Sequence, residues 1–505
     1  MSDWEKINER IDANKDEMIR TLQELIAIPS VVSEPVNDMP FGENVHEAFS
    51  YMLKKAEEED FATFNADNYG GHIEFGGQIF DEEGDVVDVS NECMGIVGHL
   101  DVVPEGSDWD HEPYGGEIAD GKIYGRGTAD DKGPVVAAFY AMKALKEAGV
   151  NPAKKVRLIL GLDEETNWDG MDYYLTKAPQ PDFGFTPDSE FPAIHGELGI
   201  LIFSIAKKLK TPKDKGLELR TLKGGQAPNM VPDNARAVLF DKDPQVYEMV
   251  KAAVTAFREE KKEEIPAFAD GRASVHCKGV GKSLEITVKG ISAHGSTPED
   301  GVNAISIMME LLGRLDFVSD DVTDFIDFYN KRIGYELDGK SLGADFEDKV
   351  SGGSVLNAGK IDLDKKAVSL ATNIRYPVTF TSDEIYEAIM PALDEYDLGL
   401  VKGKEEAPIF IPADDPFIVT LMDIYREHTG DKDSKPVVSG GGTYARMFRN
   451  CIAFGGRFPD EPDTMHQKNE CLDLDSFVTM TKIYADAIYR LTQPGPDEEE
   501  AAEEE

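Results

Sequence analysis

Apolar positions recur at helical spacing over residues 7–28 and again in "VHEAFSYMLKKAEEED" from Val45, so the chain is expected to open with helices. The pattern then changes. "HIEFGG", "MGIVGHLDVV" and "KKVRLILGLDEE" read as strands, and the last two are apolar enough to sit at the centre of a sheet. Between them "DDKGPVVAAFYAMKALKEAGV" predicts a helix that starts on small residues and has a glycine near its end. Strand, helix and strand in that order indicate an α/β core with a partly parallel sheet.

From about Gly196 the style differs. "ELGILIFSIAKK", "SLEITVKGISAHGS" and "KAVSLATNIRYPV" are strand-like, and helices such as "DGVNAISIMMELLGRL" are interspersed, which describes a separate α+β unit. Past "KGKEEAPIFIPADDPFIVTLMDIYREHTG" the earlier style returns, with "CIAFGGR" as a buried strand and a closing helix from Leu474 to Leu491. The expected organisation is a mixed, largely parallel α/β domain in two parts, 1–197 and 406–493. An α+β domain at 198–405 is inserted between them, and a disordered acidic tail follows at 494–505. No short-period repeat is visible.

Size and charge narrow the partners. A chain of 505 residues exceeds one ordinary core. Its net charge of −45 argues against nucleic acid or an anionic membrane, because both would be repelled. Seven of the acids lie in "PGPDEEEAAEEE", and the body is strongly acidic without them. The charged opening stretch lacks the basic-then-apolar order of a secretory signal, and no apolar run approaches membrane-spanning length. Cys93, Cys277, Cys451 and Cys471 are widely spaced, as free thiols in a reducing compartment would be. A soluble, cytoplasmic protein, monomeric or dimeric, is expected.

Chemistry-bearing residues collect at strand ends and in the turns that follow. In "VGHLDVVP" His99 and Asp101 stand two apart, a spacing that puts both on one face of a strand. Asp130 precedes a helix, Glu164 and Glu165 end a strand, Asp188 follows Pro187, and His466 lies in "DTMHQKNE". Taken singly, Asp130 is equally a helix cap, Asp188 a turn residue, and the glutamates and His466 solvated surface groups. In open α/β sheets, however, ligands gather beyond the carboxyl ends of strands, so these sites can converge. Two histidines and three carboxylates are the set that two divalent ions about 3.5 Å apart use when one carboxylate bridges them.

The stretches "VGHLDVVPEG", "IYGRGTADDKGP", "LDEETNWDG", "TPDSEFP" and "MHQKNE", in this order, resemble the co-catalytic zinc metallopeptidases that include aminoacylases, carboxypeptidase G and succinyl-diaminopimelate desuccinylase. The long insert, "DDKGP" and "SGGGTYARMF" are most similar to the peptidase V-like dipeptidase branch. The resemblance covers nearly all of the chain except the tail. It implies that His99 and Asp188 hold one metal, Glu165 and His466 the other, and that Asp130 bridges. Zn²⁺ is the implied ion, with Mn²⁺ or Co²⁺ as alternatives that an oxygen-rich set accepts. Asp101 would orient His99 through its far ring nitrogen. Glu164 would be the general base in the hydrolysis of dipeptides, including the β-Ala-Xaa type, by water that the dinuclear centre activates.

The same resemblance makes the insert a lid. It implies that His294 in "GISAHGSTPEDG" donates to the oxyanion, that Asn229 in "APNMVPDNA" positions the substrate, and that Arg375 in "TNIRYPV" grips its terminal carboxylate. Gly441 in "VVSGGGTYARMF" can offer its N–H to that carboxylate, with Arg446 a weaker candidate. His46, His72, His111, His195, His276 and His428 fall in no motif and read as structural or surface residues. Two rivals remain at this stage: an aminoacylase or desuccinylase acting on N-acyl amino acids, and a peptide-binding protein that keeps the fold without the chemistry.

Overall fold

The computed structural model describes residues 1–80, 86–212 and 214–493; the expected acidic tail at 494–505 lies outside the described residues. The chain forms two compact units, one of Met1–Gly196 with the segment from Ile409 onward, the other of Glu197–Pro408.

In the first unit the principal sheet runs in the spatial order Ala62–Asn65, Gly71–Gly76, Lys155–Gly161, Cys93–His99, Phe183–Thr186, Cys451–Phe454, Ala193–Glu197 and Ile409–Phe410. Its centre is parallel: Cys93–His99 pairs in parallel with both Lys155–Gly161 and Phe183–Thr186, and the last of these with Cys451–Phe454. Antiparallel partners flank that centre. The strand Cys93–His99 is buried at every position, as expected of a parallel strand covered on both faces. Close approach is part of its design, since a Cβ on Gly184 would meet the Gly95 carbonyl oxygen at 2.0 Å. The helix Lys132–Glu147 is buried from Lys132 through Leu145. It packs against the sheet and against the helices Asp3–Ile26 and Leu474–Leu491.

Burying that helix all round requires its polar groups to be satisfied. Lys132 Nζ donates to the carbonyls of Leu25 and Ile28 at 3.0 and 2.7 Å. Tyr140 and Thr21 share a hydroxyl bond of 2.8 Å, and Lys143 pairs with Glu17 and Glu59.

The second unit is one antiparallel sheet of eight strands in the order Ser274–Val280, Ser283–Lys289, Asn234–Phe240, Glu218–Gly224, Val355–Leu363, Ala367–Tyr376, Gly199–Lys208 and Gly399–Glu406. Helices Pro244–Glu264, Ala304–Leu312 and Ser382–Asp394 pack on it. Alternating burial along Gly199–Lys208 marks the core side, where Leu201, Phe203 and Ile205 join one apolar cluster. Among the described residues no helix is long and apolar enough to cross a membrane.

Candidate metal centre

Three parallel neighbours in the first unit's sheet end at the same edge, and each delivers candidate residues there. His99 is the last residue of its strand, Glu164 and Glu165 follow Lys155–Gly161 by one turn, and Asp188 follows Phe183–Thr186 by two residues. Two loops add to them. Asp130 precedes the buried helix Lys132–Glu147, and His466 lies in the loop before Cys471–Asp473, with a left-handed φ of 59°.

The side chains meet in two groups that share Asp130: His99 with Asp130 and Asp188, and Asp130 with Glu165 and His466. His99 Nε2 is 2.9 Å from Asp130 Oδ1 and 3.7 Å from Asp188 Oδ2. His466 Nε2 lies 2.9 Å from Asp130 Oδ2 and 2.8 Å from Glu165 Oε1. Each oxygen of one carboxylate thus faces a different histidine, which is the disposition a bridging ligand needs.

The backbone sets the ring of His99. Its Nδ1 is 2.9 Å from the main-chain carbonyl oxygen of Asp101, which can only accept, so Nδ1 carries a proton and the ring is turned with Nε2 toward the carboxylates. The Asp101 carboxylate also stands by this ring, where, against burial, its bond to the imidazole raises the His99 pKa. Asp101 Oδ1 stands farther off, at 3.4 Å, and the carboxylate oxygens accept the N–H groups of Glu164 and Glu165, each at 3.1 Å. Asp101 lies two residues beyond the strand end, and its carboxylate faces both the His99 ring and the glutamate turn.

Charge explains what these residues can hold. Burial, then the nearby Asp188, raise the Glu164 carboxyl well above the usual carboxylate range, with Glu165 and Asp101 adding to the shift. Burial and Asp130 likewise raise Glu165 and Asp188. Asp130 goes the other way: burial opposes ionisation, but bonds from His466 and His99 hold its pKa far down. Bonds to Asp130 and Glu165 push His466 up to about 11. The carboxylates outnumber the imidazoles, and the surplus negative charge is buried, an arrangement that cations relieve. Imidazole nitrogen with carboxylate oxygen is a donor set suited to divalent zinc, manganese or cobalt, so the residues fit a two-ion centre.

Further parts of the site went unread in the sequence although they sit inside the quoted motifs. Buried Asp163 accepts the Gly170 N–H at 3.0 Å and the Tyr444 hydroxyl at 3.1 Å. The Tyr444 ring stands edge-on to His99 with centroids 6.5 Å apart. Glu470, the last residue of "MHQKNE", is fully buried beneath the Asp130 loop. Only burial and these contacts set the three residues apart, since none of them offers an atom to the two groups.

Gly441 belongs to this unit. Its N–H donates to Ser439 Oγ at 3.0 Å, and Arg446 Nη2 donates to its carbonyl at 3.0 Å, so the arginine braces the glycine loop. Among the histidines that fall in no motif, His72 bonds Tyr174, His111 stacks on Tyr124, and His428 bonds Asp486.

Asn229, His294 and Arg375 belong to the second unit. Asn229 and His294 lie on adjacent segments, with Gly295 N–H donating to the Asn229 carbonyl at 2.7 Å and an isolated bridge between Met230 and His294. His294 Nδ1 accepts the Ser296 N–H at 3.3 Å, which leaves the ring proton on Nε2. Arg375 is buried in the strand Ala367–Tyr376, with Nε donating to Asn373 Oδ1 at 3.1 Å.

Comparison with known proteins bears on this geometry. The pattern of peptidase family M20/M25/M40 matches residues 95–490. The Beta-Ala-Xaa dipeptidase of Lactobacillus delbrueckii subsp. lactis is 36% identical over 492 residues, covering 96% of this chain and 98% of the relative. Among solved structures, human carnosine dipeptidase 1 aligns with a TM-score of 0.56 at 15% identity, over 98% of this chain and 100% of the other. The aminoacylhistidine dipeptidase of Vibrio alginolyticus aligns with a TM-score of 0.55 at 14% identity, over 94% and 96%. At such identities these two likenesses concern the fold.

Proposed function

Because the chain belongs to peptidase family M20/M25/M40, as a metallopeptidase of the dipeptidase type, we propose that it hydrolyses free dipeptides, β-alanyl dipeptides among them, at a two-metal centre. The observation that carries the reading is the division of Asp130, one oxygen toward His99 and the other toward His466. His99, Asp130 and Asp188 would hold one ion, and Glu165, His466 and Asp130 the other. Two divalent cations bound there, Zn²⁺ by preference, supply Lewis acidity to the scissile carbonyl and to the attacking water.

The chain's own groups do the rest. Glu164 takes a proton from the attacking water and passes it to the nitrogen of the leaving amine. Asp101 holds the backbone of both glutamates, so that Glu165 points to His466 while Glu164 is left for proton transfer. His294 donates its Nε2 proton to the carbonyl oxygen as negative charge develops. Asn229 positions the substrate, and Arg375 holds the terminal carboxylate, for which a planar guanidinium is well shaped; the Gly441 N–H, expected to assist, is taken by Ser439 Oγ. A cytoplasmic setting completes the reading, supported by four cysteines that are all free thiols.

Hydrolysis of Ala-Ala, β-Ala-His, Ala-Ala-Ala, Ala-Ala-amide and N-acetylalanine by metal-free and zinc-reloaded protein tests the proposal. Zinc-dependent turnover confined to the two free dipeptides is expected. Preference for N-acetylalanine would instead make the protein an amidohydrolase of N-acyl amino acids, and no turnover with zinc bound would make it a binding protein. Arg375→Met should lower kcat/KM for Ala-Ala about 10- to 100-fold, the worth of a charged hydrogen bond, and narrow the gap to Ala-Ala-amide. An undiminished gap removes Arg375 from carboxylate recognition. His294→Ala should lower kcat by about a hundredfold or more while metal content stays unchanged. Wild-type kcat in that variant removes His294 from the reaction.

A further inference from the structure

Beneath the Asp130 loop lies a buried ion pair that joins that loop to the His466 segment and to the stretch after His99. Glu470 follows His466 by four residues and is 0% exposed. Its Oε1 accepts three main-chain N–H groups, from Gly127 at 3.1 Å, Ala129 at 2.9 Å and Asp130 at 3.1 Å. Its Oε2 accepts Arg126 Nη1 at 2.6 Å. The Glu470 carbonyl also takes the Gly125 N–H at 2.9 Å, so the His466 segment and the Asp130 loop are joined through both side chain and main chain.

Arg126 carries the connection onward. It is 1% exposed, and its Nη2 donates to the carbonyls of Pro104 and Glu105, each at 3.4 Å, on the stretch that follows His99 and Asp101. Its guanidinium lies 5.3 Å from the centroid of the Trp109 ring. A planar fork with five donors can serve a carboxylate and two carbonyls at once, which the point charge of a lysine cannot do.

A buried ion pair is seldom retained for stability alone, because desolvation consumes much of the attraction. Here the carboxylate also fixes the main chain at Asp130 itself, the residue common to both metal groups, and it does so from the loop that carries His466. A displacement of the Asp130 main chain would carry both of its oxygens away from His99 and His466 and spoil both groups together. Groups that orient a ligand without touching the metal commonly change metal affinity by about 10- to 100-fold.

Resting on the ligand reading proposed above, we infer that Glu470, paired with Arg126, is the positioning residue that holds Asp130 in register with His99 and His466. Glu470→Gln keeps the side chain's shape, removes its charge and sets an amide donor against the bonds it must accept. Titration of the metal-free full-length protein with Zn²⁺, by competition with a chromophoric chelator, should show both equivalents weakened about 10- to 100-fold in a protein that is folded without metal, though it melts at a lower temperature than the wild type. Arg126→Lys, which keeps the charge and loses the fork, should weaken Zn²⁺ in the same direction by less.

Wild-type zinc affinity in Glu470→Gln overturns the inference. If Glu470→Gln is unfolded without zinc, Arg126→Lys decides: wild-type zinc affinity in a folded Arg126→Lys protein overturns the inference, and weakened affinity supports it. His466→Ala serves as the control on the underlying reading. If it retains both equivalents, the ligand assignment fails; if it loses one while Glu470→Gln binds normally, only the positioning role fails.

Discussion

Glu164→Ala is expected to bind two equivalents of metal as the wild type does and to lose about 10²- to 10⁴-fold in kcat, the usual worth of a general base. Glu165→Ala, one residue away and chemically identical, is expected to lose metal. The difference comes from the turn that carries them. The Asp101 carboxylate takes the two successive N–H groups, which fixes the loop and sends neighbouring side chains in different directions. Glu165 Oε1 reaches His466 Nε2 at 2.8 Å, whereas the Glu164 carboxyl feels burial and the charge of Asp188. Metal content by elemental analysis, measured beside kcat on Ala-Ala, separates the roles. Equal metal loss in the two variants would sink the division of labour.

Asp130→Ala should abolish the high-affinity binding of both ions and reduce activity by more than about a hundredfold, beyond what a group outside the ligand shell contributes. One residue has this double effect because each of its oxygens faces one histidine, at 2.9 Å in both cases. The single-group variants provide the contrast: His99→Ala should keep the ion of the Glu165 and His466 group, and His466→Ala the ion of the His99 and Asp188 group. Calorimetric titration of chelator-treated protein with Zn²⁺ counts the equivalents directly. An Asp130→Ala protein that still binds one full equivalent tightly would remove the bridge.

Local signals in the sequence account for much of the architecture. An apolar run such as "MGIVGHLDVV" has few options besides a buried strand, and the small-residue helix after Asp131 can lie flush against a sheet, which is how the structure uses them. The change of style near Gly196 and its reversal past residue 405 reflect a real change of construction, from a sheet with a parallel centre to a wholly antiparallel one. His99, Asp130, Glu164, Glu165, Asp188 and His466 were recognisable by type and by their place at strand ends, since a chain rarely sets so many titratable groups beside buried strands without a use for them.

The contacts that give those residues their bearing were not legible. Which oxygen of Asp130 faces which histidine depends on loops separated by 31 and more than 300 positions, and no periodicity carries that information. The side chain of Asp101 was expected at His99, and strand spacing gave no sign that its carboxylate also takes two backbone donors 63 and 64 residues away. Glu470 reads in sequence as one more acid in a chain with 97 of them. Burial beside Arg126 and three backbone N–H groups of a distant loop sets it apart. Hydrophobic period and local chemistry act over a few residues, which is why the strands, the helices and the residue types at the strand ends could be read along the chain. Only the tertiary structure decided the orientation of each ligand and the identity of the groups that hold it, because hydrogen bonds in a buried site are satisfied by whatever the fold brings within about 3 Å, however far along the chain it lies.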